Sequence, residues 1–203
     1  LDNQGTLHTF HNNHICEALN QWNRVLAINS NSRHALPIHT RMAEIYQNVV
    51  GDIPNAIKHY QLVISRFPND PNNHQNRLQL ANCYVRSDQF EAAIIELKNL
   101  RSKTKDGHLK QQAAIQLAMI YIIRKQFQPA RDLLEPIAKS PHCDRCRHLA
   151  LMTLSDILEI QEDYEKAIDI LGQIPDNVLS DDQKQTRISN IRKKIVSPAS
   201  PGP

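Results

Sequence analysis

The densest group of chemically capable side chains is His142, Cys143, Cys146 and His148. Thiols and imidazoles are the donors of a zinc site or a thiol–disulfide couple, and the short spacings would gather His142, Cys143 and Cys146 at a helix start, where thiolates are favoured. A zinc site of this kind needs a second cysteine pair or a distant histidine, and no motif in the chain supplies one. Arg147 follows the second cysteine, which excludes the haem pattern C-x-x-C-H. His142, Cys143 and Cys146 therefore stand as a minor metal candidate, and no metal or other cofactor is expected. His8, His11 and His14 are spaced by three and read as a polar chain end. Nothing resembles a phosphate-binding glycine loop, a Gly-x-Ser-x-Gly turn or a His-Glu-x-x-His helix, so a non-enzymatic protein is expected.

What must position these groups is a repeat. Ala18, Ala56, Ala93, Ala130 and Ala167 follow one another at steps of 38, 37, 37 and 37 residues. Three residues before each stand Ile15, Ile53, Phe90, Phe127 and Tyr164; four after stand Trp22, Tyr60, Leu97, Leu134 and Leu171; seven after stand Val25, Val63, Leu100, Ile137 and Ile174. Offsets of three, four and seven lie on one helix face, with alanine where a neighbouring backbone approaches closely. A second column, Met42-Ala43-Tyr46, Leu80-Ala81-Tyr84, Leu117-Ala118-Tyr121 and Leu154-Ser155-Leu158, marks a preceding helix in each unit. The pattern predicts an all-α, right-handed solenoid of about five helix-turn-helix repeats, at about 1–33, 35–70, 71–107, 108–140 and 141–177. The first is expected to hold an incomplete first helix.

Caps and prolines fit this division. Asp52 with Pro54, Asp70 with Pro71, and Ser140 with Pro141 are each read as helix starts, and Pro136 as a kink inside a second helix. Ser180 with Gln183 forms a capping-box spacing before a closing helix at 180–195. Ile188, Ile191 and Ile195 would cover the end of the stack while Lys184, Arg187, Arg192, Lys193 and Lys194 face water. Residues 196–203 read as a flexible, Pro-rich tail. The net charge of +3 is spread rather than striped, so nucleic acid is not called for, and no apolar run is long enough for a membrane span. The start at Leu1 rather than Met suggests a processed or truncated piece.

The recurring Leu-Ala-x-x-Tyr of the first helices, the aromatic-x-x-Ala of the second and the proline near the close of a unit resemble the tetratricopeptide repeat. The period departs from that family's roughly 34 residues, and its early tryptophan is absent. The resemblance implies a superhelix that holds a peptide or helix of another protein in a concave groove, as a scaffold or assembly adaptor. A structural spacer within a larger protein, or a metal or redox protein using Cys143 and Cys146, are the alternatives. Sparse cysteines favour a reducing, cytoplasmic setting; Phe67-Pro68-Asn69-Asp70-Pro71 resembles unit endings of bacterial cell-envelope assembly factors.

Groove residues follow from the positions beside each first-helix core stripe. They are Arg41, Glu44 and Gln47 in one unit and Gln79, Asn82 and Arg86 in the next. Then come Gln112, Gln116, Met119 and Ile123, and finally Asp156 and Glu159. Ile115, Met119, Ile122 and Ile123 make the third unit the most apolar. Asn82 and Arg86 match in kind the clamp by which some family members hold a chaperone's C-terminal carboxylate, but Thr40, Glu44 and Ile115 do not, and that activity is rejected.

Overall fold

The computed structural model describes residues 3–29, 34–68, 70–140 and 143–196, with side-chain environments from residue 14 to residue 195. Every regular element among them is helical. In order these are α1 (Asn3–Ile28), α2 (Ala35–Ile45) continued by a π-helical turn (Tyr46–Val50), α3 (Ile53–Arg66), α4 (Asn73–Arg86) and α5 (Phe90–Lys103). Then follow α6 (Gly107–Ile123), α7 (Phe127–Ala138), α8 (Asp144–Ile160), α9 (Tyr164–Gly172) and α10 (Asp181–Val196). The chain forms two compact units, Leu1–Glu96 and Leu97–Pro203. Pro141, His142 and the tail at 197–203 lie outside the described residues, as do the side chains of His8 and His11.

Each unit is built from sequential antiparallel-type neighbours: α2 packs on α3 and α3 on α4 in the first, and α6 on α7, α7 on α8 and α8 on α9 in the second. The two small-residue columns are what lets them approach. Ala43, Ala56, Ala81, Ala93, Ala118, Ala130, Ser155 and Ala167 all have no exposed surface. In the last repeat the columns touch directly, the Ser155 hydroxyl donating to the Ala167 carbonyl at 3.3 Å. Around them Tyr60, Leu97, Leu134 and Leu171 are fully buried, as the spacing predicts.

The turn between the two helices of each repeat recurs in register. Gly51, Asp88, Lys125 and Glu162 have φ of 77°, 58°, 57° and 62° and stand 37 residues apart. In the last three, the amide of the next residue bonds back five positions (Gln89 to Tyr84, 2.8 Å; Gln126 to Tyr121, 2.7 Å; Asp163 to Leu158, 2.9 Å) and the left-handed residue's own amide bonds back three. This is the Schellman closure, which satisfies carbonyls that the helix end leaves open. Caps open the next helices. Asp52 accepts the Asn55 amide at 3.1 Å, Asp106 accepts those of His108 and Leu109 at 2.8 and 3.2 Å, and Ser180 and Gln183 bond reciprocally at 3.3 and 3.1 Å.

The 38-residue step among the 37s has a physical location. From Ala43 to Gly51 there are eight positions, whereas Ala81 to Asp88, Ala118 to Lys125 and Ser155 to Glu162 each take seven. The extra residue falls within Tyr46–Val50, where the helix widens into a π turn that absorbs it without changing the registers on either side.

Several expectations are corrected. The first repeat is not a helix pair: α1 is one helix of 26 residues, and its inward face is turned so that Leu19 and Leu26 are buried while Val25 is exposed. Asp70 does not cap α4; its carboxylate accepts the Asn72 amide at 2.8 Å in a turn, and the helix begins at Asn73. The helix holding Pro136 runs on only to Ala138, so the proline sits in the last turn. On α10, Lys184 is buried against Asp176 rather than facing water, and Arg187 turns onto α8. Ile188 and Ile191 are buried with α8 and α9, but Ile195 is exposed.

Candidate functional site

In the first unit, the face shared by α2, its π turn and α4 forms a pocket lined by Arg41, Glu44, Ile45, Asn48, Val49, Tyr60, Gln75, Asn76 and Gln79. Three of the sequence-derived groove residues, Arg41, Glu44 and Gln79, meet there. Arg41 and Glu44 pair at 2.9 Å one turn apart and stay exposed, a geometry in which water and entropy leave little net stabilisation, so both remain available to a partner. Val49 is exposed and Asn48 lies beside it, both presented by the π turn. At the pocket wall, Asn76 is buried and its Nδ2 has no hydrogen-bond partner among the described residues. A buried amide donor left unpaired in this way carries a desolvation cost.

Gln47 is not a groove residue. It is buried, its Oε1 accepting from the Tyr60 hydroxyl at 2.9 Å and its Nε2 donating to Gln79 Oε1 at 3.3 Å. Burial pushes the Tyr60 phenol well above its ordinary range, so it stays a donor. Arg86 reaches the same place from α4, giving a hydrogen bond of 2.6 Å to the Gln47 carbonyl. The π turn thus supplies, through Gln47, an amide side chain and a carbonyl that cross-link α2, α3 and α4 beneath the pocket. Asn82 completes the row at 3.5 Å from Gln79.

A family model described as "Tetratricopeptide repeat-like domain" matches residues 15–141. The chain belongs to this tetratricopeptide repeat-like family. Among solved structures, MamA is similar over 96% of this chain and 98% of its own, at 15% identity and a TM-score of 0.63. PilF of Pseudomonas aeruginosa is similar over 97% and 90%, at 14% identity and a TM-score of 0.59. Naa15/Naa10 bound to HypK-THB is similar over 89% of this chain and 26% of its own, at 18% identity and a TM-score of 0.54. No curated protein matches the chain by sequence. These likenesses carry the all-helical TPR-like fold, a fold commonly used for protein–protein interaction.

In the second unit of this TPR-like protein, Met119 and Ile123 are exposed one turn apart on α6, while Ile115 is buried in the core and Ile122 packs against it. Gln112 and Gln116 are half-buried beside them. Asp156 and Glu159 on α8 are already engaged: Arg187 of α10 pairs with both, at 2.6 Å to Glu159, and Lys194 lies 3.4 Å from Glu159. They anchor the closing helix, a role not legible from the positions on α8 alone. A further depression has Leu151, Leu154 and Leu158 as its floor and Arg131, Glu135, Lys166 and Asp169 on its rim, between α7 and α9. No described helix is long and apolar enough to cross a membrane.

The Cys143 and Cys146 pair, expected as free thiols, is joined by a disulfide. Cys143 is the N-cap of α8, its Sγ accepting the Cys146 amide at 3.1 Å. The distant histidine that the sequence did not reveal is His108, on the first turn of α6.

Proposed function

We propose that this TPR-like protein is a non-enzymatic scaffold that binds a segment of another protein at the α2–α4 face of its first unit. The observation that carries this reading is the pocket itself: two opposite charges at Arg41 and Glu44 that reach solvent, the polar Asn48 and Gln79, and exposed apolar Val49 beside them. That combination suits a peptide, whose backbone would meet the amide side chains and whose charged side chains would find either sign on the rim. The π turn under the pocket supports it further, since such turns occur often at functional sites. In the second unit, Met119 and Ile123 offer an apolar contact for the same class of partner. The likeness to Naa15/Naa10, which is bound to HypK-THB, is consistent with a protein ligand. The modest, dispersed net charge favours protein over nucleic acid.

Capture from a lysate with mass spectrometry tests the reading. Wild-type protein should retain a defined set of proteins, and Glu44→Lys, which reverses a rim charge without touching the core, should lose or weaken them in a salt-dependent way. A folded Glu44→Lys variant retaining the same proteins at all salt concentrations would remove the α2–α4 face from the reading. Retention lost only on substituting Lys166 or Asp169 would move the site to the α7–α9 depression. A wild-type chain that retains nothing specific would favour a spacer.

A further inference from the structure

The cysteine pair has a third potential ligand that lies far from it in sequence. One ligand atom from each of His108, Cys143 and Cys146 falls within 4.8 Å of the others. The fold holds them there by identifiable contacts. Gln111, one turn after His108 on α6, donates to the Ser140 hydroxyl at 2.9 Å, tying the start of α6 to the segment that leads into α8. Cys146 is buried in the core cluster with Ala114, Ile115 and Ala118 of α6, and Cys143 packs against that cluster. Asp106 caps the first turn of α6, fixing the backbone from which His108 projects. His108 itself is exposed, so its ring is free to rotate.

We propose that, with the pair reduced, His108, Cys143 and Cys146 form a site for a zinc-type divalent cation, with solvent in the fourth position. Two thiolates and an imidazole are a borderline-soft donor set that suits zinc, and a three-ligand set leaves one position open. Bond lengths of about 2.3 Å to sulfur and 2.0–2.1 Å to nitrogen put tetrahedral ligands roughly 3.5–3.8 Å apart. Reaching that from the present arrangement takes about 1 Å of movement by the exposed histidine and, once the bond is reduced, separation of the two sulfurs to the same spacing. The Cys146 amide points at Cys143 Sγ, which stands at the N-terminus of α8 and is held in place there. Metal and disulfide exclude one another. Reduction by a phosphine and water yields two thiols and the phosphine oxide, and metal binding then releases the two thiol protons to solvent.

The test uses untagged full-length protein, reduced with a phosphine, desalted without oxygen, and titrated with Co²⁺ and then Zn²⁺. Co²⁺ should bind at one equivalent with thiolate-to-cobalt charge-transfer absorption, Zn²⁺ should displace it, and both should raise the melting temperature of the reduced chain. Cys146→Ser should abolish the charge-transfer band, but that residue is buried and the change could unsettle the fold. His108→Ala is the decisive variant because the side chain is exposed. It should keep the helical spectrum and lose at least roughly tenfold in metal affinity, the scale on which even indirect supporting groups act. Reduced wild type without a thiolate band, or His108→Ala with unchanged affinity, would overturn the proposal. So would dependence on His142 in place of His108.

Discussion

The two units carry the same repeat but fill it differently. In the second, the core around Ala130, Leu134, Ala150 and Ile157 is aliphatic, and the buried hydroxyls of Thr153, Ser155 and Thr104 are each absorbed by a backbone group. In the first, buried polar groups run through the middle. His39 and His59 face each other with their Nδ1 atoms 2.9 Å apart, Tyr46 stacks on His59, and Gln47 joins Tyr60 to Gln79. A single proton can lie between the two Nδ1 atoms, so one ring donates and the other accepts, and the two rings cannot both be charged in this geometry. The difference teaches that the small-residue columns define the fold, while what lies between them can be greasy and uniform or polar and directional. Directional bonding is found in the unit that contains the π turn and the candidate pocket.

The largest effect is expected where packing alone holds the chain. Leu134→Ala, in the aliphatic unit, should cost about 2–5 kcal/mol in urea unfolding. Ala130→Leu, which forces apart helices in contact, should cost about 1–3 kcal/mol. If Ala130→Leu melted at the wild-type temperature, the close-contact column would be misassigned.

Acid should separate the units. Burial, then the neighbouring His39 and Lys58, lower the pKa of His59 to about 4 from an ordinary 6.5, and burial lowers that of His39. Below 6.5 the unfolded chain therefore binds protons that the folded first unit refuses. Stability should fall as pH drops from about 6.5 toward 4, on the order of 1–3 kcal/mol. Hydrogen exchange resolved by peptide should show α2 and α3 loosening between pH 7 and 5 before α7 and α8. Equal loosening of both would contradict the polar-core account.

Two smaller changes sharpen the contrast. Tyr60→Phe leaves Gln47 Oε1 buried without its donor and should cost roughly 1–3 kcal/mol, whereas no partner-loss penalty of this kind attends Leu134. Deleting Asn48 should return the π turn to α-helical spacing. The helix content should persist, the Gln47 bonds to Tyr60 and Gln79 should be lost, and the eight-residue count from Ala43 to Gly51 should become the seven of the other repeats. A chain that fails to fold without Asn48 would show that the extra residue is not an insertion the turn merely absorbs.

Much of this fold was legible because the helix period, the alanine columns and the capping residues are local patterns. The step of 38 among 37s was visible too, but not its place, since a one-residue excess looks the same in a loop as in a helix. The left-handed turns at Asp88, Lys125 and Glu162 were hidden because no glycine marks them; only the register with Gly51 gives them away. The candidate site was harder to read. Position beside a core stripe named Arg41, Glu44 and Gln79, which line one pocket, yet it could not tell Gln47, drawn inward by the π turn, from an exposed neighbour. Nor could it find Arg187 closing over Asp156 and Glu159, or His108 beside cysteines more than thirty positions away. Those depend on which helices pack together, not on any single helix.

The central claim is that a protein partner seats on the α2–α4 face. Once a partner has been captured, hydrogen exchange of the full chain with and without it tests this most directly. The account predicts slowed exchange in α2, the π turn and α4. Protection confined to α7 and α9, with α2 and α4 unchanged, would contradict it.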